Sequence, residues 1–511
     1  MKRDLNRLSE NAFDVLIIGG GIHGAAIAYK IAASGFKTAL IEQKDFCSAT
    51  SANSLKIIHG GIRYFQHLNF KRIRESVKSR RAMMRIAPNL VRPLPCVMPT
   101  YGFGLKGKHA LQIVLQMNDL FSFDRNRGLK HADRIPDGKI LSKEECLNYI
   151  PGLKKEGLSG GALWYDALAV STERLALTYI IKAAEKGAQI ANYVTATDLL
   201  KRGNVVHGIR AKDVLTGERF DITAKLVINA AGSWISNTIR SSKLNHIKWQ
   251  KGLNIIVKKR LFSDCAVGLE ESRKSFDPSA VIKSKNRLLF FVPWRNYTLI
   301  GTTYKPYSGT PEELNISKDE IRELVEETNR IYPVADLNLN DVTFFHYGIL
   351  PAKDQKQDSS STQIDNHSEI IDHERVDNLK GIITIKGVKY TTAPQIAEET
   401  ARLLKKRNIS KTSHSHKPIP RHIDEDDRSE PELLLNEDPP LTAAEVLFSI
   451  REEMALKLSD IVFRRTDLGT AEQPAENTLH SIAKLMAEEL SWDNQRILSE
   501  ISEVQSCYRP N

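Results

Sequence analysis

The feature that most constrains the fold of this chain is a short apolar run that a glycine-rich turn joins to a helical segment. The run VLII at 15–18 predicts a buried strand, and Gly19, Gly21 and Gly24 follow it. In such a turn the first glycine permits the bend, the second lets the backbone approach a pyrophosphate, and the third allows close packing of helix on strand. The helix is expected to end near Gly35. Because a helix N-terminus favours negative charge, the pattern predicts a dinucleotide site.

The next strand supports this prediction. The run TALIE ends in Glu42, eighteen residues after Gly24, where an acid is expected to bind ribose hydroxyls. A segment rich in hydroxyl side chains follows at 48–54 and includes Thr50 and Ser51. Such donors favour FAD, which carries a second redox ring deeper into a protein, over NAD.

The bulk composition bounds the class of protein. The chain has 511 residues, of which 41% are hydrophobic and 26% charged, so two or three globular domains are expected. The net charge of +11 suits an anionic substrate, an anionic cofactor or an acidic membrane surface, but the charge is too dispersed to indicate nucleic acid. The oligomeric state is left open, with a dimer among the options.

The cysteines and the apolar segments suggest a cytoplasmic location, with the inner face of a membrane left open. The five cysteines are scattered and form no C-x-x-C pair, which indicates reduced thiols and no metal site. No run of eighteen apolar residues is present, and the N-terminus lacks the apolar core of a signal peptide. Residues 109–123 are read as a core helix in preference to an amphipathic element that docks on a membrane.

Later segments carry a family resemblance. With the glycine turn, these segments resemble, in the same order, the FAD-dependent glycerol-3-phosphate dehydrogenase family of the D-amino-acid-oxidase type. The matching stretches are ATSANSLKIIHGGIRY at 49–64, LVINAAGSW at 226–234, FFVPWRNYTLIGTTY at 290–304, IKGVKYTTA at 385–393 and VLFSIREEMALKLSDIVFRRTDLG at 446–469.

The resemblance implies a reaction. An alcohol carbon would transfer a hydride to the flavin N5 of FAD while a base takes the hydroxyl proton, and the electrons would pass to a quinone or to oxygen. In this family the protein must hold the carbon over the flavin and bind a small anionic substrate with cations.

The run IIHGGIRYF at 57–65 looks like a buried strand, and the resemblance places it beside the flavin. Gly60 (with Gly61) would then let the backbone pass close to the cofactor. Arg63 and Tyr64 would project toward the substrate, where the planar guanidinium suits a phosphate. His59 is assigned to the cofactor site, with a packing role equally open.

The resemblance also assigns residues from the later motifs. Lys389 would bind phosphate or stabilise the anionic reduced flavin, with a solvated surface lysine as the alternative. Gly232, Gly387 and Thr391 would contact the cofactor, Gly387 because its backbone can approach closely.

The substrate side departs from the family pattern at three places. Leu350 stands where the family has a phosphate-binding arginine, and Asn254 stands where it has a histidine. The pair 171–172 is Ser-Thr in place of two acids, although Arg174 is retained. Since an amide takes no proton at neutral pH, His346 is the candidate to replace the missing histidine as base.

Three functional hypotheses remain. The favoured one is a diverged glycerol-3-phosphate dehydrogenase. The second is a related flavin dehydrogenase or oxidase that acts on another small hydroxy or amino compound. The third is a flavin-binding protein without turnover.

The predicted fold class is α/β. A Rossmann-like FAD-binding domain at 12–85, 155–240 and 340–404 would be interleaved with an antiparallel-sheet substrate domain at 86–154 and 241–339. A polar, proline-rich linker at 405–440 would precede a C-terminal helical domain at 441–511, whose first helix opens with a capping box between Thr442 and Glu445.

Overall fold

The computed structural model describes residues 1–67, 69–101, 108–239, 241–274, 286–352, 367–412 and 434–510. The chain forms two compact units, and each is built from separate segments. Unit 1 comprises Met1–Ala52, Glu173–Lys248 and Asp365–Arg509. Unit 2 comprises Asn53–Thr172, Trp249–Ile364 and the last two residues.

The helices and strands alternate along much of the chain. The described helices are α1 Leu5–Glu10, α2 Ile22–Ala33, α3 Phe70–Ile86, α4 Lys108–Phe121, α5 Lys143–Tyr149, α6 Thr172–Glu185, α7 Ile235–Thr238, α8 Ser242–Asn245, α9 Lys318–Ile331, α10 His373–Val376, α11 Ala393–Lys406, α12 Ala443–Glu453, α13 Leu458–Asp460, α14 Glu476–Leu490 and α15 Asn494–Ser506. The described strands are β1 Ala12–Ile18, β2 Thr38–Ile41, β3 Ile57–Ile58, β4 Val91–Tyr101, β5 Lys139–Leu141, β6 Leu158–Ala169, β7 Gln189–Ala191, β8 Val194–Arg202, β9 Val205–Asp213, β10 Arg219–Asn229, β11 Trp249–Val257, β12 Ala266–Lys274, β13 Asn286–Trp294, β14 Tyr297–Tyr307, β15 Val342–Pro351, β16 Glu369–Asp372, β17 Ile382–Lys386, β18 Leu434–Glu437 and β19 Pro440–Thr442.

A mainly parallel sheet organises unit 1. Its strand order is β16-β17-β10-β1-β2-β7, and the central pairs run parallel. Six of the seven residues of β1 are buried, as expected for a strand covered on both faces. Helices α2 and α11 pack against each other. The predicted strand–turn–helix segment at the start of the chain is therefore confirmed.

A largely antiparallel sheet organises unit 2. Its strand order is β15-β11-β14-β13-β12-β4-β6-β3, with β12 and β4 as a parallel pair. One face of β11 contributes Leu253, Ile255 and Val257 to an apolar core that also contains Leu324 of α9. The predicted strands in NIIVKK, RLLFFVPW and YTLIGTTY are present as β11, β13 and β14.

The C-terminal helices have an apolar cluster of their own. It includes Val446, Leu458, Leu479 and Val504, which come from α12, α13, α14 and α15. The capping box is present at the start of α12, where Thr442 Oγ1 accepts the Glu445 N–H and Glu445 Oε2 accepts the Thr442 N–H, at 3.3 and 3.0 Å. These helices and the two sheets confirm the predicted fold class.

The boundaries of the two structural units differ from the predicted domain boundaries. Residues 53–85, 155–172 and 340–364 fall in unit 2, because β3, β6 and β15 pair within the antiparallel sheet. The C-terminal helices fall in unit 1. Residues 413–433 of the expected linker lie outside the described residues.

No described helix has the length and apolar character needed to cross a bilayer.

Candidate active site

The glycine turn of unit 1 connects β1 to α2 through backbone contacts that leave no room for side chains. Gly19 has φ +105°, and a Cβ there would lie 2.6 Å from the Ala230 carbonyl oxygen. A Cβ on Gly24 would overlap the Gly19 carbonyl oxygen. Gly21 is the N-cap of α2, and a Cβ there would lie 3.1 Å from Ser51 Oγ. The glycines therefore keep the loop before α2 free of side chains. The first turn of α2 contains no acidic residue that would repel an anion.

Glu42 supports this turn from the end of β2. Its Oε2 accepts the Gly20 N–H at 2.6 Å and its Oε1 accepts the Lys44 N–H at 2.9 Å. Burial raises the pKa of the Glu42 carboxyl, although the two backbone donors oppose that shift. The side chain that was expected to bind ribose therefore also fixes the glycine turn.

His23 brings the two motif loops of unit 1 together. It is the second residue of α2, and a Cβ on Gly387 would lie 2.6 Å from its imidazole ring. Its Nε2 is buried and has no hydrogen-bond partner among the described residues. Burial lowers the pKa of His23 to about 4, so the ring is neutral at pH 7. The sequence analysis did not select His23 as a site residue, although its position between Gly21 and Gly24 places it in the glycine motif.

The remaining cofactor candidates of unit 1 lie in short turns. Ser51 Oγ accepts the Ile22 N–H at 3.1 Å, and Thr50 is half-buried in the same turn. Gly232 follows β10 with φ +58°, and its missing Cβ would face open space. Lys389 is half-buried and precedes a 3₁₀ helix, Tyr390–Thr392, in which Thr391 is buried.

Unit 2 contains a histidine–carboxylate pair. His59 Nδ1 lies 3.1 Å from Asp166 Oδ2, and the His59 side chain is 53% exposed whereas that of Asp166 is 4% exposed. Burial alone would raise the pKa of Asp166, but contacts with His59, with Arg80 and with the Gly60 N–H outweigh it and hold the pKa below its usual value. The anionic carboxylate therefore accepts a hydrogen bond from Nδ1–H, which leaves Nε2 as the unprotonated nitrogen of the neutral ring.

Sequence reasoning missed Asp166 because its distance in the chain from His59 gave no local signal. The carboxylate also accepts the Gly60 N–H at 2.6 Å and the Trp164 Nε1–H at 3.3 Å, and Arg80 Nη1 lies 3.3 Å from it. These contacts hold Asp166 in one orientation.

The segment after β3 differs from the expected strand, which ends at Ile58 and gives way to a 3₁₀ helix, Ile62–His67. A Cβ on Gly60 would lie 2.7 Å from the guanidinium carbon of Arg80, and Gly61 has φ +98°. These glycines thus have a packing role inside unit 2. The ring of Tyr64 lies 5.5 Å from the Arg72 guanidinium carbon, and the side chain of Arg63 lies outside the described residues.

Asn254 and His346 face each other across β11 and β15. Asn254 Oδ1 accepts a hydrogen bond from Thr302 Oγ1 at 2.6 Å. His346 Nδ1 lies 3.2 Å from the Ser54 carbonyl oxygen, and the residue is 2% exposed. His346 is therefore far less accessible than His59, which makes His59 the better candidate base.

The other altered positions belong to unit 2, where Ser171 and Thr172 are buried and Leu350 is half-buried in β15. The retained Arg174 belongs to unit 1. Arg174 forms a two-pronged ion pair with Glu453 of α12, at 2.6 and 3.0 Å. Arg174 therefore ties α6 to the C-terminal helices.

Comparison with known proteins finds family matches in two regions of the chain. Residues 14–403 match the family model described as FAD dependent oxidoreductase, and residues 417–497 match the C-terminal domain of alpha-glycerophosphate oxidase. A glycerol-3-phosphate dehydrogenase of Synechocystis is 33% identical over 412 residues, which is 78% of this chain and 70% of that protein. The chain belongs to the FAD-dependent glycerol-3-phosphate dehydrogenase family.

Two further members of this group show its breadth. The alpha-glycerophosphate oxidase of Streptococcus pneumoniae is 30% identical over 81% of this chain and 65% of its own length. The glycerol-3-phosphate dehydrogenase of Bacillus halodurans, solved with FAD, has the same fold with a TM-score of 0.69. Its sequence is 21% identical, and the alignment covers 98% of this chain and 96% of that one.

Unit 1 of this family member fits FAD. The N-terminus of α2 follows a glycine turn and favours a phosphate through its dipole, Gly232 faces open space, and the unpartnered His23 Nε2 needs a hydrogen-bonding group that the described residues do not supply. The chain is an FAD-dependent oxidoreductase.

Proposed function

We propose that this chain oxidises glycerol 3-phosphate to dihydroxyacetone phosphate. The C2–H bond of the substrate breaks to give a hydride, the C2 hydroxyl loses its proton, and a carbonyl forms. FAD, when bound, supplies the hydride acceptor at flavin N5. The observation that carries the proposal is the pairing of His59 with Asp166, which supplies a base to an oxidoreductase of this family.

His59 is the proposed general base. Its Nε2 takes the proton from the C2 hydroxyl, while Nδ1 keeps its own proton in the hydrogen bond to Asp166. Asp166 keeps the ring in the tautomer that leaves Nε2 unprotonated, and it stabilises the imidazolium that forms. His346 remains the alternative base, but its burial and its Ser54 contact argue against it.

The anionic end of the substrate requires cations. Arg63 remains the proposed phosphate ligand, because a guanidinium forms paired hydrogen bonds with phosphate oxygens. Tyr64 is proposed to line the same site. Lys389 is proposed to serve the substrate or the reduced cofactor.

A second candidate function is the oxidation of another small hydroxy or amino compound. Leu350 brings no charge to β15, and the Oδ1 of Asn254 is already engaged by Thr302. These two features reduce the polar groups that remain for a phosphate in unit 2.

The acceptor of the electrons is proposed to be a quinone, with oxygen as the alternative, and the protein to act at the cytoplasmic face of a membrane. Supporting this proposal, α4 and the residues after it expose Ile113, Leu120 and Phe123, which are 58, 69 and 77% exposed. The Arg74 guanidinium carbon lies 4.7 Å from the ring centroid of Phe123. Because Arg74 is paired with Asp124, the exposed apolar side chains carry the argument for a bilayer surface.

Anaerobic reduction of the flavin band near ~450 nm tests the proposed reaction. Glycerol 3-phosphate is expected to bleach the band faster than glycerol, small 2-hydroxy acids or amino acids do. Bleaching by an unphosphorylated compound alone would favour the second candidate function. Retained FAD that no compound reduces would instead indicate a flavin-binding protein without turnover.

A further inference from the structure

A network of buried polar side chains joins three elements of unit 1. His373 of α10, Thr384 of β17 and Asn229 of β10 are each 0% exposed. His373 Nδ1 lies 2.6 Å from Asp377 Oδ2, and His373 Nε2 lies 2.7 Å from Thr384 Oγ1. Asn229 Nδ2 donates to Thr384 Oγ1 at 3.4 Å. We call Asp377, His373, Thr384 and Asn229 the His373 network. Because buried polar groups destabilise a core unless they are hydrogen-bonded, such a network rigidifies the elements that it joins.

The hydrogen bonds of the His373 network share one direction. The ionised Asp377 carboxylate can only accept, so His373 Nδ1 carries the ring proton. Nε2 of the neutral ring then accepts a hydrogen bond from the Thr384 hydroxyl, whose oxygen is left as an acceptor for Asn229 Nδ2–H. The carboxylate at one end of the network therefore determines which side of the Asn229 amide faces Thr384.

The Asn229 amide in turn fixes the backbone that follows β10. Its Oδ1 accepts the Ala231 N–H at 3.4 Å, and its Nδ2 donates to the Ile235 carbonyl oxygen at 2.8 Å. The two contacts close a turn that contains Gly232. A rotated amide would set two donors against each other at Ala231 and two acceptors against each other at Ile235. The orientation of the amide therefore decides the shape of this turn.

This turn packs on the glycine turn of the cofactor site. Asn229 is the register partner of Ile18, the last residue of β1, and a Cβ on Gly19 would lie 2.6 Å from the Ala230 carbonyl oxygen. On its other side Asn229 is the register partner of Thr384 in β17. Ligands of parallel sheets bind outside the carboxyl ends of the strands. The His373 network thus lies at the level where the loops after β1, β10 and β17 leave the sheet.

We propose that His373 is a positioning residue for FAD. It acts through Thr384 and Asn229, which hold the turn at Gly232 in the conformation that the cofactor binds. His373 is fully buried, so it exerts this effect without touching the cofactor. The inference goes beyond the proposed function, because it concerns the cofactor of the family and holds for any substrate.

Substitutions at Thr384 separate the effect of its hydroxyl from that of its packing. Thr384→Val removes the hydroxyl with little change in volume, so the Asn229 amide loses the acceptor that orients it. The holoenzyme is then expected to release FAD about 5-fold faster or more. Thr384→Ser keeps the hydroxyl and loses a methyl group. It is expected to release FAD within about 2-fold of the wild-type rate, although its melting temperature falls. The rise in flavin fluorescence after dilution measures the rate of release.

Thr400→Val is the matched control in unit 1. Thr400 is also 0% exposed, and its hydroxyl donates to the Ile396 carbonyl oxygen within α11 at 2.7 Å. The control is expected to change the melting temperature but to keep the wild-type rate of FAD release. An unchanged rate in Thr384→Val overturns the proposal. Equal acceleration in Thr384→Val and in either Thr384→Ser or Thr400→Val also overturns it, because the effect would then be one of general stability.

Variants of His373 test the histidine itself. His373→Gln has a side-chain oxygen that can accept the Thr384 hydroxyl, so it is expected to release FAD more slowly than His373→Leu, which has no acceptor. His373→Leu is expected to match Thr384→Val. The double variant should release FAD no faster than the faster single variant, because both substitutions act through the Asn229 amide. Fully additive effects on the logarithm of the rate would show independent roles and would overturn the proposal.

Discussion

His59 and Asp166 are 107 residues apart in the chain, yet the Nδ1 atom of the first lies 3.1 Å from an Oδ2 atom of the second. The histidine is half-exposed and the carboxylate is buried, so the pair has one accessible basic atom with a fixed orientation. This arrangement is the basis for the first prediction.

Replacing either member of the pair is expected to slow flavin reduction. His59→Gln removes the base, and Asp166→Asn removes the charge that holds its tautomer, so each should lower the anaerobic reduction rate by about 100-fold or more. FAD absorbance should be retained in both variants. A larger loss in His346→Gln than in His59→Gln would contradict the choice of base.

The glycine turn predicts a sharp effect on cofactor retention. Gly24→Ala places a Cβ against the Gly19 carbonyl oxygen and should push α2 away from β1, so the purified variant is expected to lack the flavin band. Gly217→Ala is the control, because the new Cβ would meet nothing within 4 Å. Its only cost is the backbone strain of a positive φ, +83°. Normal FAD content in Gly24→Ala would disprove the role of this contact.

The C-terminal helices are joined to the nucleotide-binding fold by buried charges. Arg465 donates to both carboxylate oxygens of Asp45, at 2.7 and 2.8 Å, and both side chains are fully buried. Arg465→Met should lower the free energy of unfolding by about 3 kcal/mol or more, because it leaves buried negative charge undercompensated. Urea unfolding measures this effect. Arg451→Met, in an exposed pair with Glu489, should change it little.

His23 predicts a pH dependence of stability. Its pKa is lowered from 6.5 to about 4, so as pH falls from 7 to 5 the unfolded chain binds a proton that the folded chain does not. The free energy of unfolding of the FAD-free protein should therefore fall by about 2 kcal/mol from this group, with the loss confined to the window between pH 6.5 and 4. His23→Gln should remove that part of the slope in urea unfolding at the two pH values. An identical slope in the variant would show that His23 is not the responsible group.

The exposed apolar side chains near α4 predict binding to anionic vesicles. Leu120→Asp and Phe123→Asp should each reduce co-sedimentation with vesicles that contain acidic phospholipid, because each puts a negative charge at the bilayer surface. Leu498→Asp, at another exposed leucine, in α15, should leave binding unchanged. Equal loss in all three variants would point to nonspecific electrostatics.

The nucleotide-binding half could be predicted because its determinants are local. The spacing of Gly19, Gly21 and Gly24 lies within six residues, and the strand and helix around it are set by apolar periodicity. The α/β class, the strands β11, β13 and β14, and the capping box at Thr442 followed from similar local patterns. The segment after Ile58 was misread, because the φ of Gly61 and the approach of Arg80 to Gly60 depend on distant packing.

The sequence by itself determined the cofactor chemistry, the family and the order of the elements, since short-range spacing and composition encode these properties. Only the tertiary structure decided which groups stand together: Asp166 beside His59, His23 against Gly387, and Asn229 beside Thr384. Strand register and helix packing bring these residues together across long stretches of chain. Contacts between distant parts of the chain form only when the whole core is buried. No local pattern of residues records them.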